Sequence, residues 1–307
     1  MAEITATMVK ELRDKTGAGM MDCKTALQQS GGSMESAVDW LRAKGLSRAA
    51  RKASRVAAEG LVGVAVEGRT GALVEVNSET DFVARNEKFQ AMVGEIARLA
   101  LSAHGSIDKL RAAAFPGSRH NVADHVAEMV ATIGENMTVR RTASLTVKNG
   151  VIGSYIHNRA APGMGRIGVL VALESAGKAD ALGELARLLS MHVAAANPVA
   201  VALSGVAPET LAREKAILSE KNAGKPPQVM EKIIASGLKS FAKEACLLDQ
   251  MYVHDGARTV QQVLKEAAAG AGASVEIAGF VRYQLGEGIE RPQDDFAAEV
   301  ARAAGGS

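Results

Sequence analysis

An α+β fold is expected from two changes of period along the chain and one internal echo. Apolar residues recur at helical spacing through the first part, then alternate as in strands from Gly60, and the strand-then-helix grammar runs twice. The echo sets Gly71-Ala72-Leu73-Val74-Glu75-Val76-Asn77 against Gly168-Val169-Leu170-Val171-Ala172-Leu173-Glu174. The expected architecture is a three-helix N-terminal bundle, a pseudo-repeated α+β core with antiparallel sheets, an inserted helical-hairpin arm and a C-terminal helix.

The elements follow in order. Met8, Val9 and Leu12 give a first helix one apolar face, and Thr16-Gly17-Ala18-Gly19 ends it. Met21 to Gln29 is a second helix, stopped by Ser30-Gly31-Gly32. Ser33 caps a third, with Glu35 in its first turn, Trp40 in or beside the core and Gly45 as its end. Leu46 to Glu59 reads as an Ala-rich connector helix with Arg48, Arg51, Lys52 and Arg55 on one stripe. Leu61–Val66 and Gly71–Val76 flank Glu67-Gly68-Arg69-Thr70 as a hairpin. Phe89, Met92, Val93, Ile96 and Leu99 mark the next helix, and another lies around His125 to Ile133. Leu145–Val147 and Val151–Ile156 flank Lys148-Asn149-Gly150, a second hairpin signal, with Gly168–Glu174 to follow. Leu182, Leu185, Leu188, Leu189 and His192 mark a helix that closes this unit, with His192 at its core edge. Residues 206–245 form a helical hairpin that turns at Asn222-Ala223-Gly224-Lys225-Pro226-Pro227, with Val229, Ile233, Ile234, Leu238 and Phe241 as its seam. Val275 to Tyr283 is a late strand that rejoins the sheet, and Asp294 to Ala304 a terminal helix.

Composition narrows the class. A chain of 307 residues divides into two to four units, and 47% hydrophobic residues exclude disorder. A net charge of +2 leaves no large field directed at nucleic acid or a membrane. Cys23 and Cys246 lie far apart, which makes no disulfide framework or metal spacing and fits a reducing cytosol. Glu3, Glu11 and Asp14 argue against a leader peptide, and no apolar run reaches membrane-spanning length, so a soluble cytoplasmic protein is expected.

Motifs for covalent or nucleotide chemistry fail on context. Gly163-Met164-Gly165-Arg166-Ile167-Gly168 matches a dinucleotide fingerprint in letters, but a strand follows where a helix N-terminus is needed. In Gly17-Ala18-Gly19-Met20-Met21-Asp22-Cys23-Lys24-Thr25, Cys23 replaces the glycine a phosphate cradle requires. The six histidines form no HExxH pattern; His157 ends a predicted strand beside the loop Asn158 to Gly165. The basic stripe could grip phosphates, but no stacking aromatics accompany it. Of Met20 and Met21 just before a helix, one is expected to be exposed, which suits a protein interface. Phe82, one of six Phe, sits in the polar stretch Ser78-Glu79-Thr80-Asp81-Phe82-Val83. It is either a staple folded under the next helix or a wedge presented to a partner.

Two stretches carry a family resemblance. Leu12-Arg13-Asp14-Lys15-Thr16-Gly17-Ala18-Gly19-Met20-Met21-Asp22-Cys23-Lys24 and Glu75-Val76-Asn77-Ser78-Glu79-Thr80-Asp81-Phe82-Val83-Ala84-Arg85 resemble the two signatures of bacterial elongation factor Ts. Gly134-Glu135-Asn136 with Arg140-Arg141, Met191-His192-Val193-Ala194-Ala195 and Gly286-Glu287-Gly288 extend the likeness over nearly the whole chain. Ser78 stands where many members carry Cys, and the loop Asn158 to Gly165 is longer than in compact members. The resemblance implies a guanine-nucleotide exchange factor for elongation factor Tu, with no cofactor and no covalent chemistry of its own. It implies a ubiquitin-associated-like (UBA-like) domain and connector over 1–58, and a core N-subdomain over 59–142. A core C-subdomain over 143–199 and 246–288, a coiled-coil dimerisation arm over 200–245 and a C-terminal module over 289–307 complete the layout. On the same basis Asp81 and Phe82, flanked by Thr80 and Val83, push into the GTPase and dislodge Mg²⁺, Met20 and Met21 make the docking contact, and His157 is a second intruding side chain. The arm permits a homodimer, and neither membrane nor direct nucleic-acid contact is expected. A holder that binds the GTPase without exchange, or an RNA-binding protein using the basic stripe, are the other classes left open.

Overall fold

The computed structural model describes residues 4–290, with side chains throughout except at positions 46–48. It is a mixed helix and sheet structure, as the change of period predicts. Helices α1 (Ala6–Thr16), α2 (Met20–Gln29) and α3 (Met34–Lys52) enclose a small core of Val9, Leu12, Cys23, Ala26, Leu27 and Ala37, with Trp40 packed against it. Thr5 and Ser33 cap α1 and α3 through their hydroxyls, and Gly17 closes α1 in the left-handed conformation. Gly45 does not end the third helix. It lies mid-helix where α3 crosses another helix, and a Cβ there would meet Ala131 at 3.1 Å. Mid-helix glycine costs only about 1 kcal/mol relative to alanine, and close helix packing offsets it. The expected connector is therefore the second half of α3, and it stops at Lys52 rather than Glu59.

Strands β1 (Glu59–Glu67) and β2 (Thr70–Ser78) form the expected hairpin. Helices α4 (Glu87–Ala103), α5 (Ile107–Ala112) and α6 (Val122–Ile133) lead to β3 (Met137–Thr146), β4 (Gly150–Ala161) and β5 (Met164–Glu174). Then come α7 (Ala179–Ala196), the arm helices α8 (Pro208–Lys221) and α9 (Pro227–Ala245), α10 (Val260–Ala271) and β6 (Glu276–Gln284). The α10 helix was not anticipated; its legible mark is the capping box of Thr259 and Gln262. The expected terminal helix over 294–304 lies outside the described residues.

The two halves do not carry separate sheets. The strands form one antiparallel sheet in the order β3-β2-β1-β5-β4. One edge of β5 pairs with β4; the other pairs first with β1, at Val62–Gly165 and Gly63–Met164, and then with β6 from Ile167 to Glu174. The hairpin expected at Lys148-Asn149-Gly150 is absent, because β3 pairs with β2 and β4 with β5. The dipeptide instead makes a corner whose amides, Lys148 N–H and Asn149 N–H, donate to Glu174 at 2.8 and 3.0 Å. The stretch Asn158 to Gly165, expected as a loop, is the tip of the β4–β5 hairpin, closed by Pro162-Gly163 with Gly163 at φ 71°. The dinucleotide-like glycines accordingly begin a strand.

The sheet curls so that its concave face meets itself. Val62, Leu73, Leu170, Tyr283 and Leu285 form the inner cluster, while α4 and α6 cover one convex half and α7 and α10 the other. β2 is buried on both faces. Glu75, wholly buried on β2, accepts from Arg140 Nη1 at 3.0 Å, Arg141 Nε at 2.5 Å, Asn77 Nδ2 at 3.0 Å and the Gly286 N–H at 2.9 Å. A β-bulge between Glu75 and Val76 brings the adjacent Arg140 and Arg141 to one carboxylate. Burial alone would raise its pKa; the Gly286 N–H, the Arg141 guanidinium and the Asn77 amide outweigh that and lower it. His192, expected at the core edge, is fully buried between Gln250 Oε1 (3.0 Å from Nε2) and the Val253 N–H (3.2 Å from Nδ1).

Two predictions follow from this packing. A Cβ at Gly153 on β4 would lie 2.3 Å from the Ala186 backbone of α7. Gly153→Ala should therefore cost about 2 kcal/mol or more, read as a lower denaturant midpoint. The Glu75 carboxylate has a folded pKa below its unfolded value. Its contribution is thus fully present above the unfolded value of about 4.3 and is lost as pH falls through the lowered folded value. Glu75→Gln should cost about 3 kcal/mol at neutral pH and flatten the fall of melting temperature below pH 4.3 or so; an unchanged acid profile would refute the assignment.

Candidate functional site

The turn between β2 and α4 is built from both ends. Ser78, the last residue of β2, is buried and its hydroxyl donates to the Thr80 carbonyl at 2.9 Å. Asn86 caps α4, its Oδ1 accepting from the Lys88 and Phe89 N–H groups at 3.0 and 3.2 Å. Between them Val83–Arg85 makes a single 3₁₀ turn, and Gln90 Nε2 donates to the Ala84 carbonyl at 2.8 Å. Val83 is buried in the core with Phe89 and Met92. It is Val83, therefore, that fastens the turn from below, and Phe82 does not. The Phe82 ring is 74% exposed.

The ring therefore projects from the turn and is not folded as a staple under α4. Asp81 beside it is exposed and paired with Arg85 at 3.1 Å, and the same guanidinium lies 6.0 Å from the Phe82 ring centroid. Thr80 is half-buried, with its N–H 2.9 Å and its hydroxyl 2.7 Å from the two oxygens of Glu135. Asn136 N–H reaches Glu79 Oε1 at 2.5 Å, and Asn136 Nδ2 donates to the Arg55 carbonyl at 2.7 Å. Lys52 Nζ donates to the Gly134 carbonyl and Arg55 pairs with Glu79 at 3.5 Å. Two cations of the basic stripe are thus spent on the protein itself.

The remaining candidates sit apart from this turn. Met20 and Met21 start α2 on the bundle, and both are exposed, at 60% and 72%, where one was expected. His157 is exposed within β4, opposite Ile167, rather than at a strand end, and its Nδ1 lies 3.2 Å from the Tyr155 hydroxyl. Strands β1 and β5 separate β4 from β2. The structure therefore brings Thr80, Asp81, Phe82 and Val83 together and leaves Met20, Met21 and His157 as separate surface features. A cleft of about 460 Å³ between the bundle and α6 is lined by Lys15, Asp22, Arg42, Lys44, Arg119 and His120, and includes none of them. Exposed apolar side chains spread over the surface in this way, as at Met20, Met21 and Phe82, suit contact with a large partner.

Comparison with known proteins bears on the same turn. Residues 79–287 match the family model described as "Elongation factor TS". Elongation factor Ts of Methylobacterium sp. (strain 4-46) is 61% identical over 307 residues, covering 100% of both chains. That of Xanthobacter autotrophicus is 59% identical over 307 residues, again 100% of both. The chain belongs to the elongation factor Ts family.

It is accordingly a translation elongation factor, as the name of its relatives states. Within this elongation factor Ts family member, the sequence stretches around Gly134 to Asn136 and Gly286 to Gly288 prove to be the ones that bind Thr80 and Glu75. Neither role was legible from the chain alone, since the partners stand 55 and 211 positions apart and no periodic signal links them. Among the described residues no helix is long and apolar enough to cross a membrane.

The two neighbours in the turn should respond oppositely to truncation. Phe82→Ala should leave stability within about 0.5 kcal/mol of the original, because the ring is exposed. Val83→Ala should cost about 2 kcal/mol, which paired urea titrations would read directly.

Proposed function

We propose that this elongation factor binds elongation factor Tu loaded with GDP and accelerates release of the nucleotide, so that GTP rebinds. The observation that carries the reading is the exposed Phe82 ring on a turn fastened at both ends, in a chain of this family. Asp81 and Phe82, supported by Thr80 and Val83, enter the nucleotide domain of the GTPase and displace Mg²⁺. Met20 and Met21 supply docking contacts from the bundle, which serves as a UBA-like module, and His157 is a second intruding side chain. The chain performs no covalent chemistry in this role. It acts in the cytoplasm, and the α8–α9 arm offers a surface for a homodimer.

The energetics suit a distributed interface. An exchange factor must bind the nucleotide-free GTPase more tightly than the loaded one, and linkage makes the weakening reciprocal. Burying one Phe is worth roughly 1.5–3 kcal/mol, or about one to two powers of ten in rate. Larger accelerations draw on Met20, Met21 and His157 as well. The RNA-binding alternative loses ground because Lys52 and Arg55 are turned onto the protein.

The test is release of fluorescent GDP from elongation factor Tu at substoichiometric amounts of this protein. Acceleration is expected, and Phe82→Ala should reduce it about ten- to a hundredfold. Stable complex formation with unaltered GDP release would leave a holder of the GTPase and end the exchange reading.

A further inference from the structure

We infer that Glu135 is the positioning residue of the Asp81–Phe82 projection, an inference that rests on the exchange reading above. Glu135 lies in the turn between α6 and β3 and spends both carboxylate oxygens on one residue, Thr80. Oε2 accepts the backbone N–H at 2.9 Å and Oε1 the hydroxyl at 2.7 Å. Charge-assisted bonds of this kind are short and directional. Two of them to a single residue fix the rotation of its peptide as well as its place. The Ser78 hydroxyl holds the Thr80 carbonyl from the other side. Every polar group of Thr80 is therefore bound, and Asp81 and Phe82 leave from it along the chain.

The clasp is reciprocal. Asn136, next to Glu135, gives its N–H to Glu79, next to Thr80. The 134–136 segment is in turn moored to the end of α3 through Lys52 on the Gly134 carbonyl and through Asn136 on the Arg55 carbonyl. None of these bonds uses the side chain of Asp81 or Phe82, so the base of the projection is fixed while its tip stays free for a partner. A ring held in its docked direction loses little further freedom on binding, and its burial is then available to the exchange step. Without Glu135 the bundle would still dock through Met20 and Met21, but the ring would enter from a range of directions.

Glu135→Ala and Glu135→Gln separate this role from a general structural one. Hydrogen exchange at the Thr80 amide is read in the free protein, and GDP release is followed against the concentration of loaded elongation factor Tu. The Thr80 amide should be protected in the original chain and exchange about tenfold faster or more in Glu135→Ala. Glu135→Gln, which keeps one acceptor oxygen, should fall between. The kcat for release should drop about tenfold with KM within about twofold, at an unaltered circular dichroism spectrum; if Glu135→Ala is unfolded, Glu135→Gln decides. An unprotected Thr80 amide in the original chain overturns the inference, and so does a raised KM at unchanged kcat. A kcat lowered by Phe82→Ala but not by the Glu135 variants overturns it alone. A kcat unaffected by either overturns the wedge reading and the inference together.

Discussion

The Glu75 carboxylate is the constraint on which the curled sheet depends. A sheet that bends back on itself must bring β3 and the segment after β6 together, and here that seam is polar. One buried carboxylate takes donors from β2, β3 and the Gly286 turn at once, while Arg140 and Arg141 reach on to the Glu287 carbonyl and carboxylate. A buried charge is tolerated only where such a set of donors surrounds it. The apolar cluster of Val62, Leu73, Leu170 and Tyr283 then fills the concave side, and Arg141 stacks over Tyr283 with its guanidinium carbon 4.2 Å from the ring centroid. The bulge at Glu75–Val76 is what makes the geometry possible, since without it the adjacent residues Arg140 and Arg141 of β3 would face opposite sides.

The turn that follows β2 inherits this rigidity. Four residues after the buried Glu75–Ser78 stretch the chain offers a free phenylalanine to solvent, a placement that core packing cannot explain. Its neighbours absorb every structural duty: Val83 fills the core, Asn86 caps the helix, Thr80 binds Glu135. The division of labour between adjacent residues, one inward and one outward, lets an apolar side chain be presented without loosening the fold around it.

The sequence made the helical bundle, the first hairpin and the arm legible because their signals are local. The Ser33 cap, the left-handed Gly17 and the Gly68-Arg69 turn act within a few residues of themselves. Asn149-Gly150 misled because a turn dipeptide states that the chain bends, while the choice of strand partner is settled by burial elsewhere. Gly45 misled in the opposite sense, since its reason for being glycine is Ala131 on another helix. The site divided in the same way. Phe82 stood out by its rarity in a polar stretch, but whether it pointed in or out was decided by Val83 and by residues half a domain away. The fold class and the family were thus open to reading, whereas the bonds that hold the site lay between segments far apart in the chain.

The outer edge of β4 has a consequence for association. An edge strand is a template on which another strand can add. Near the β4–β5 tip this one carries exposed His157, Asn158, Arg159 and Ala160, a left-handed residue at Asn158 (φ 52°) and a register shift between Arg159 and Ala161. Charge, kink and bulge together spoil the regular spacing of free N–H and C=O groups that strand addition needs. The half of the edge nearest the exposed histidine is thereby guarded against runaway self-pairing into fibrils, even though it stays open to solvent and to a differently shaped surface.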